Sequence, residues 1–226
     1  MRVNLFTKLE NKATKALLFI AMNNLNDFPA PLRIFDSVEY QHFQQELAHL
    51  QPGQSSPYPD NFLNYLLMNY KRSSRVIKSF QVSEVHSKQL SICQEHIWYL
   101  ITEPWCGDAA HSVPVIMKLA EAASQIHLNI ILRDENPVWM EHFLTNGGKS
   151  IPVLAVFDEI SGDLIGHWGP RPNELQQLFM KLRTEQRSKE EIQEILQKWY
   201  NTDKGNAIVN EVLALCSQTY SLKTQM

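Results

Sequence analysis

The chain has 226 residues, 44% of them hydrophobic and 20% charged, with a net charge of −3 at neutral pH. This suits a globular protein of one ordinary domain, with or without a helical extension, and provides no basic footprint for nucleic acid. Three scattered cysteines, Cys93, Cys106 and Cys216, exclude a disulfide framework and zinc-ligand spacing and suit a reducing compartment, so the expectation is a cytoplasmic protein without a metal site.

At the N-terminus Lys8, Lys12 and Lys15 precede a short apolar run, 16–22. It is too short to span a membrane and no small-residue cleavage site follows, so it reads as an amphipathic or buried helix over about 3–26 with Phe6, Leu9, Ala13, Leu17 and Ile20 on one stripe, a secretory signal being the alternative. Pro29 and Pro31 end it. Asp36-Ser37-Val38-Glu39 has capping-box spacing and opens a second helix to about Leu50. A Pro- and Gly-rich loop, 51–59, leads to a third helix capped by Asp60 and carrying Phe62, Leu66, Tyr70, Val76 and Phe80, with 71–75 (Lys-Arg-Ser-Ser-Arg) as a solvated face or, alternatively, a phosphate or partner surface.

The apolar run 97–101 reads as a buried strand, and a helical pattern follows through Val113, Ile116, Met117 and Ala120. Between them lies Glu103-Pro104-Trp105-Cys106-Gly107-Asp108-Ala109. A cysteine at a strand-to-helix turn faces backbone N–H groups and the positive end of a helix dipole, which favour a thiolate. Strand-like 127–132 comes next, then Asp134-Glu135-Asn136-Pro137, then Ile151-Pro152 before the apolar run 153–157. Gly162-Asp163 supplies a hairpin turn into a last strand, 164–168, and Pro172 opens a closing helix. Helical periodicity continues over 189–200, 201–205 breaks the chain, and a final helix starts at Asn206.

Trp105-Cys106-Gly107, Pro114 eight residues after the cysteine, Asp134-x-Asn136-Pro137 and Ile151-Pro152 occur in the order of thioredoxin's motifs, and residues 93 to 183 resemble the thioredoxin family. The resemblance implies an α/β protein with a central mixed β-sheet flanked by helices, extended by helices at both ends. The segments are an N-terminal extension (1–59), a thioredoxin-like domain (60–200, core about 93–183) and a C-terminal helix (201–226). Pro152 matches the family's cis-proline, which sets the Ile151 backbone to pair with an extended substrate strand.

The chain departs from the family at two places. Ala109 stands where a resolving cysteine would be, so Cys106 acts alone. Leu100 and Ile130 replace a buried aspartate–lysine pair; losing both avoids a stranded charge. Asp108 takes the place of the motif proline, either as a helix-start acid or in a catalytic role, and opposes thiolate formation. Arg171, in the loop of 168–172, either flanks a helix start or holds a carboxylate or glutathione-like anion. Cys216 is the one thiol of this chain considered as an internal resolver.

The resulting expectation is a monothiol thiol–disulfide oxidoreductase with Cys106 as catalytic residue and Trp105, Gly107, Asp108, Ile151, Pro152 and Arg171 as substrate-binding residues. It needs no resident cofactor, with glutathione or another external thiol as co-reductant, and acts on protein disulfides or glutathionylated thiols, with no nucleic-acid or membrane partner. The alternatives are a non-catalytic module that binds an extended peptide and a peroxide-reducing or redox-sensing thiol.

Overall fold

A computed structural model describes residues 22–223, with side chains to Ser217. Most of the helix expected over 3–26 lies outside these residues. At its described end, residues 22–24 are not helical: Asn24 bridges to Asp163, and a short 3-10 turn, Leu25–Asp27, follows. A further bridge, Phe35 to Ile130, lays the next stretch beside the sheet.

Helix α1 (Ser37–Ala48) starts at the capping box, where Asp36 accepts from Val38 and Glu39 and Glu39 accepts from the Asp36 N–H. A 3-10 turn (Asp60–Phe62) precedes α2 (Leu63–Ser79). Asp60 is not a side-chain cap there; its carboxylate accepts from the Gly53 N–H and closes the preceding loop. A short polar helix without an apolar stripe, α3 (Glu84–Ser91), capped by Ser83, separates α2 from the sheet.

The sheet has order β2-β1-β3-β4, with β1 (His96–Thr102) parallel to β2 (Ile126–Leu132) and antiparallel to β3 (Val153–Asp158), and β3 antiparallel to β4 (Leu164–Trp168). Helix α4 (Ala109–Glu121) makes the crossover from β1 to β2, and α5 (Pro137–His142) follows β2. After β4 come α6 (Asn173–Thr184), α7 (Lys189–Asp203) and α8 (Asn206–Lys223). The sheet is thus the expected mixed one flanked by helices. The break expected at 201–205 is narrower: α7 runs to Asp203, and Lys204 (φ 55) and Gly205 (φ 89) make the left-handed turn into α8.

Alternation along β1 sends Tyr99 to the face where Trp139, Phe28 and Phe157 form an aromatic cluster, and sends Trp98 and Leu100 to the other face. Leu100 and Ile130 are register partners in the parallel pair and both are fully buried, so the site of the family's buried charge pair is here an apolar contact. Helix α8 packs on β4 and α4; at Gly166 a Cβ would meet Leu215 Cδ1 at 2.8 Å.

The extension helix α2 is docked on α4 by chemistry that α4 itself creates. Pro114, inside α4, has no N–H to give the Ala110 carbonyl four residues back. Ser73 on α2, only 2% exposed, donates its hydroxyl to that carbonyl at 3.2 Å. One residue before Ser73, Arg72 is thereby carried to the start of α4. The stretch 71–75 is therefore not simply a solvated face: Ser73 is buried and Arg72 half-buried.

Candidate functional site

Cys106 sits in the turn between β1 and α4 and is 8% exposed. Its S–H donates to the Ile151 carbonyl at 3.3 Å, across a cis Ile151–Pro152 bond. Burial pushes its thiol up to about 12, and the Asp108 carboxylate adds to the rise; the N–H groups of Ala109 and Asp108 and the Arg171 charge pull the other way without prevailing. The helix start alone therefore does not produce a thiolate here. Desolvation of the charged sulfur outweighs two N–H groups and a guanidinium that is already paired.

Asp108 does not cap α4 with its side chain. Its carboxylate faces Arg171, with Nη2–Oδ2 at 2.6 Å and Nε–Oδ1 at 3.0 Å, and both side chains are 12% exposed. The Tyr200 hydroxyl donates to the same Oδ1 at 3.0 Å. Burial raises the Asp108 carboxyl above its ordinary value, and Arg171 opposes that rise. Arg171 also donates to Gln176 at 2.9 Å and lies 4.0 Å over the Phe179 ring. These contacts engage Nε, Nη1 and Nη2 of Arg171.

Trp105 is clamped between Arg133, 4.8 Å from its ring centre, and Phe62, at 5.5 Å. Glu103, 1% exposed, ties the turn down: it accepts from the Tyr58 hydroxyl at 2.6 Å and the Asp134 N–H at 2.9 Å. Burial raises the Glu103 carboxyl, while these two hydrogen bonds work against the rise. Gly169 (φ 122) passes so close to the Pro152 carbonyl that a Cβ there would clash with it.

Above the sulfur lies a cleft of about 670 Å³ between α2 on one side and α6 and α7 on the other. Trp105, Cys106, Gly107, Asp108 and Arg171 all line it. Ile151 and Pro152 do not; both are buried beneath the turn, and the Ile151 carbonyl is taken by the Cys106 thiol. The cleft also exposes residues that local sequence patterns do not reveal. Arg72 comes from α2, beside the Ser73 hydroxyl that donates to the Ala110 carbonyl. Tyr200 and His111, stacked at 4.3 Å, come from α7 and α4. Burial holds His111 down at about 4, so its ring is neutral near pH 7. Gln186 (φ 56) breaks α6 from α7, and Arg183, Arg187 and Lys189 line the cleft.

Cys216 does not approach Cys106. It shares a hydrogen bond with Cys93, and that contact, followed by burial, raises its thiol. Cys93 precedes β1 and Cys106 follows it, so the pair lies about 20 Å away along the strand. Among the described residues no group of three His, Cys, Asp or Glu is placed to hold a metal ion, and no helix is long and apolar enough to cross a membrane.

A family model described as thioredoxin matches residues 56–190, more than half of the chain. The protein belongs to the thioredoxin family. No curated protein matches it. Two solved structures are similar at low identity. One is a protein of unknown function from Pseudomonas aeruginosa, with 14% identity, a TM-score of 0.49 and coverage of 80% of this chain and 96% of the other. The second is an HIV epitope scaffold, with 15% identity, a TM-score of 0.47 and coverage of 88% and 95%. This thioredoxin family protein thus has its fold assigned, and its chemistry has to be read from the residues around Cys106.

Proposed function

We propose that this thioredoxin family protein is a monothiol exchange protein whose cysteine is closed at rest and reacts with disulfides that fit the cleft above it. The observation that carries the reading is the position of the sulfur: Cys106 lies on the floor of a cleft large enough for a small ligand, at the start of α4. The reaction balances with one thiol. Cys106 loses its proton, the thiolate attacks one sulfur of the disulfide, a Cys106–ligand disulfide forms, and the departing thiolate takes up a proton. A second, external thiol, glutathione or another, attacks the mixed disulfide and returns Cys106 to the thiol.

The resting thiol is slow by design of its surroundings. Relative to an ordinary thiol of pKa about 8.5, a thiol at about 12 has a thiolate population roughly 3,000-fold smaller at pH 7, offset about 25- to 60-fold by its greater nucleophilicity. The net loss is roughly 100-fold toward reagents from bulk solvent. Holding a disulfide in line with the sulfur offsets such a loss, because effective molarities of oriented groups reach about 10⁵ M and above. Selectivity then comes from binding.

The high thiol pKa also favours a second reading, a binding module in which Cys106 takes no covalent part. Incubation with low-molecular-weight disulfides and peptide mass spectrometry separates the two. Exchange predicts a mixed disulfide on Cys106 and thiol-dependent turnover lost in Cys106→Ser. Binding that survives Cys106→Ser, with no adduct on the unsubstituted chain, contradicts exchange and leaves the binding module.

A further inference from the structure

We propose that the substrate of this cleft is a small anionic disulfide, and that Arg72 holds its negative group beside Cys106; the proposal deepens the exchange reading and rests on it for the disulfide, though not for the anion.

The lining of the cleft has the opposite sign to the rest of the chain. The protein carries a net charge of −3, yet the cleft is lined by Arg72, Arg171, Arg183, Arg187 and Lys189 against the lone carboxylate of Asp108. That carboxylate is consumed by Arg171, so four cations remain. Arg187 makes contacts at 3.4 Å with Glu185 and Glu191. Arg72 and Arg183 make no ion pair among the described residues. A converging set of cations over a reactive atom, with Arg187 partly offset by its glutamates, is a field that draws anions and holds them.

Arg72 stands apart from the rim cations. Among the described residues its one hydrogen bond to a side chain goes to Asn69 at 3.2 Å, and Asn69, 1% exposed, is itself fixed to the Pro104 carbonyl at 3.3 Å. A Cβ added to Gly107 would lie 3.8 Å from Nη1, so the guanidinium sits over the residue next to Cys106. Burial and the nearby Arg75 charge both disfavour its charged form, a cost that a bound anion would relieve. A planar guanidinium held in this way suits a carboxylate approached in plane.

The shape argues for a small molecule rather than an extended polypeptide. The backbone that would pair with a substrate strand, at Ile151, is buried and its carbonyl is occupied by the Cys106 thiol. The space that is open lies toward α2, α6 and α7, and its volume of about 670 Å³ falls within the range of small-ligand pockets. Phe62, Tyr65, Met68 and Phe179 give it apolar walls, two of which, Tyr65 and Met68, are 38% exposed. The fitting ligand therefore has an apolar body, a disulfide, and a carboxylate within reach of Arg72.

The test compares two aromatic disulfides, dianionic 5,5′-dithiobis(2-nitrobenzoate) and the smaller, neutral 4,4′-dithiodipyridine, on the full chain with Cys93→Ala and Cys216→Ala; if that chain folds poorly, adducts on Cys106 are followed in the unsubstituted chain by peptide mass spectrometry. The readout is the ratio of the dianionic to the neutral reagent's rate, in which any effect of Arg72→Gln on the thiol itself cancels. The ratio is expected to fall about tenfold in Arg72→Gln and to fall with added salt in the unsubstituted chain. A ratio unchanged by Arg72→Gln overturns the proposal. In parallel, a non-reducible thioether dicarboxylate of the same size is titrated by calorimetry. Binding weakened about tenfold by Arg72→Gln, with neither disulfide reacting, contradicts exchange and retains the anion site. Absence of both reaction and thioether binding overturns the anion site as well.

Discussion

Replacing Asp108 by asparagine separates the two roles that the carboxylate plays. It is the partner of Arg171 and also a negative charge that holds Cys106 as a thiol. Asp108→Asn leaves Arg171 charged, 12% exposed and without its counter-charge, with Gln176, the Phe179 ring and a neutral amide oxygen around it. Breaking a buried pair from one side costs about 3–5 kcal/mol, and the amide keeps the Tyr200 contact, so a loss of about 3 kcal/mol is expected. For the thiol the change goes the other way. A like charge nearby shifts a pKa by about 1–3 units, and here its removal also frees the Arg171 charge to favour the thiolate. Each unit of decrease multiplies the thiolate about tenfold near pH 7 and reduces its nucleophilicity about threefold, so reactivity rises roughly threefold per unit, about 3- to 30-fold in total. The assay is alkylation by iodoacetamide, a neutral reagent, in the chain with Cys93→Ala and Cys216→Ala, with urea unfolding of the same proteins. Tyr200→Phe is the control, since it loosens the pair without removing its charge. The expected pattern is a less stable but more reactive Asp108→Asn protein and a Tyr200→Phe protein of ordinary reactivity. Asp108→Asn alkylating no faster than the parent protein would refute the role given to the carboxylate.

Ser73→Ala leaves the Ala110 carbonyl, which Pro114 deprives of its helical donor, without a partner; a loss of about 1–3 kcal/mol in urea unfolding is expected, and a neutral substitution would contradict the docking of α2 through this bond. His111 is held neutral in the fold down to about pH 4, whereas the unfolded chain protonates it near 6.5. Its contribution is therefore fully present above pH 6.5 and is lost as pH falls to 4, by about 3 kcal/mol in all. Subtracting the stability–pH curve of His111→Phe should isolate that loss, and a flat difference would contradict it. Mild oxidation is expected to join Cys93 to Cys216 and to spare Cys106, as read by peptide mapping; a cross-link that includes Cys106 would contradict the placement of the three thiols.

The fold was legible because its signals are local. The apolar run of β1, the capping box at Asp36, Pro114 inside a helix and Gly162-Asp163 before β4 each act over a few residues. The apolar Leu100–Ile130 contact was also legible, because a charge pair replaced on both sides leaves a complementary trace in two strands. The site was legible only at its centre. Trp105, Cys106 and Gly107 are adjacent in sequence, but Asp108 meets Arg171 across 63 residues and Tyr200 across 92, and no periodicity announces such pairings. The run 71–75 looked like a solvated face because its composition is polar. What turns Arg72 and Ser73 inward is a carbonyl left open by a proline on another helix. The helix-start argument for a thiolate failed to prevail for a similar reason: it counts N–H groups near the sulfur, whereas the burial created by the surrounding helices decides the balance.

The central claim is that Cys106 is a thiol at rest, closed until a ligand fills the cleft. Its most direct test is thiolate absorbance of Cys106 against pH in the chain with Cys93→Ala and Cys216→Ala, with Cys106→Ser in the same background as the blank. The account predicts no thiolate signal from Cys106 through about pH 10, rising only toward about 12. A midpoint at or below the ordinary thiol value of about 8.5 would contradict it and show a site activated before any ligand binds.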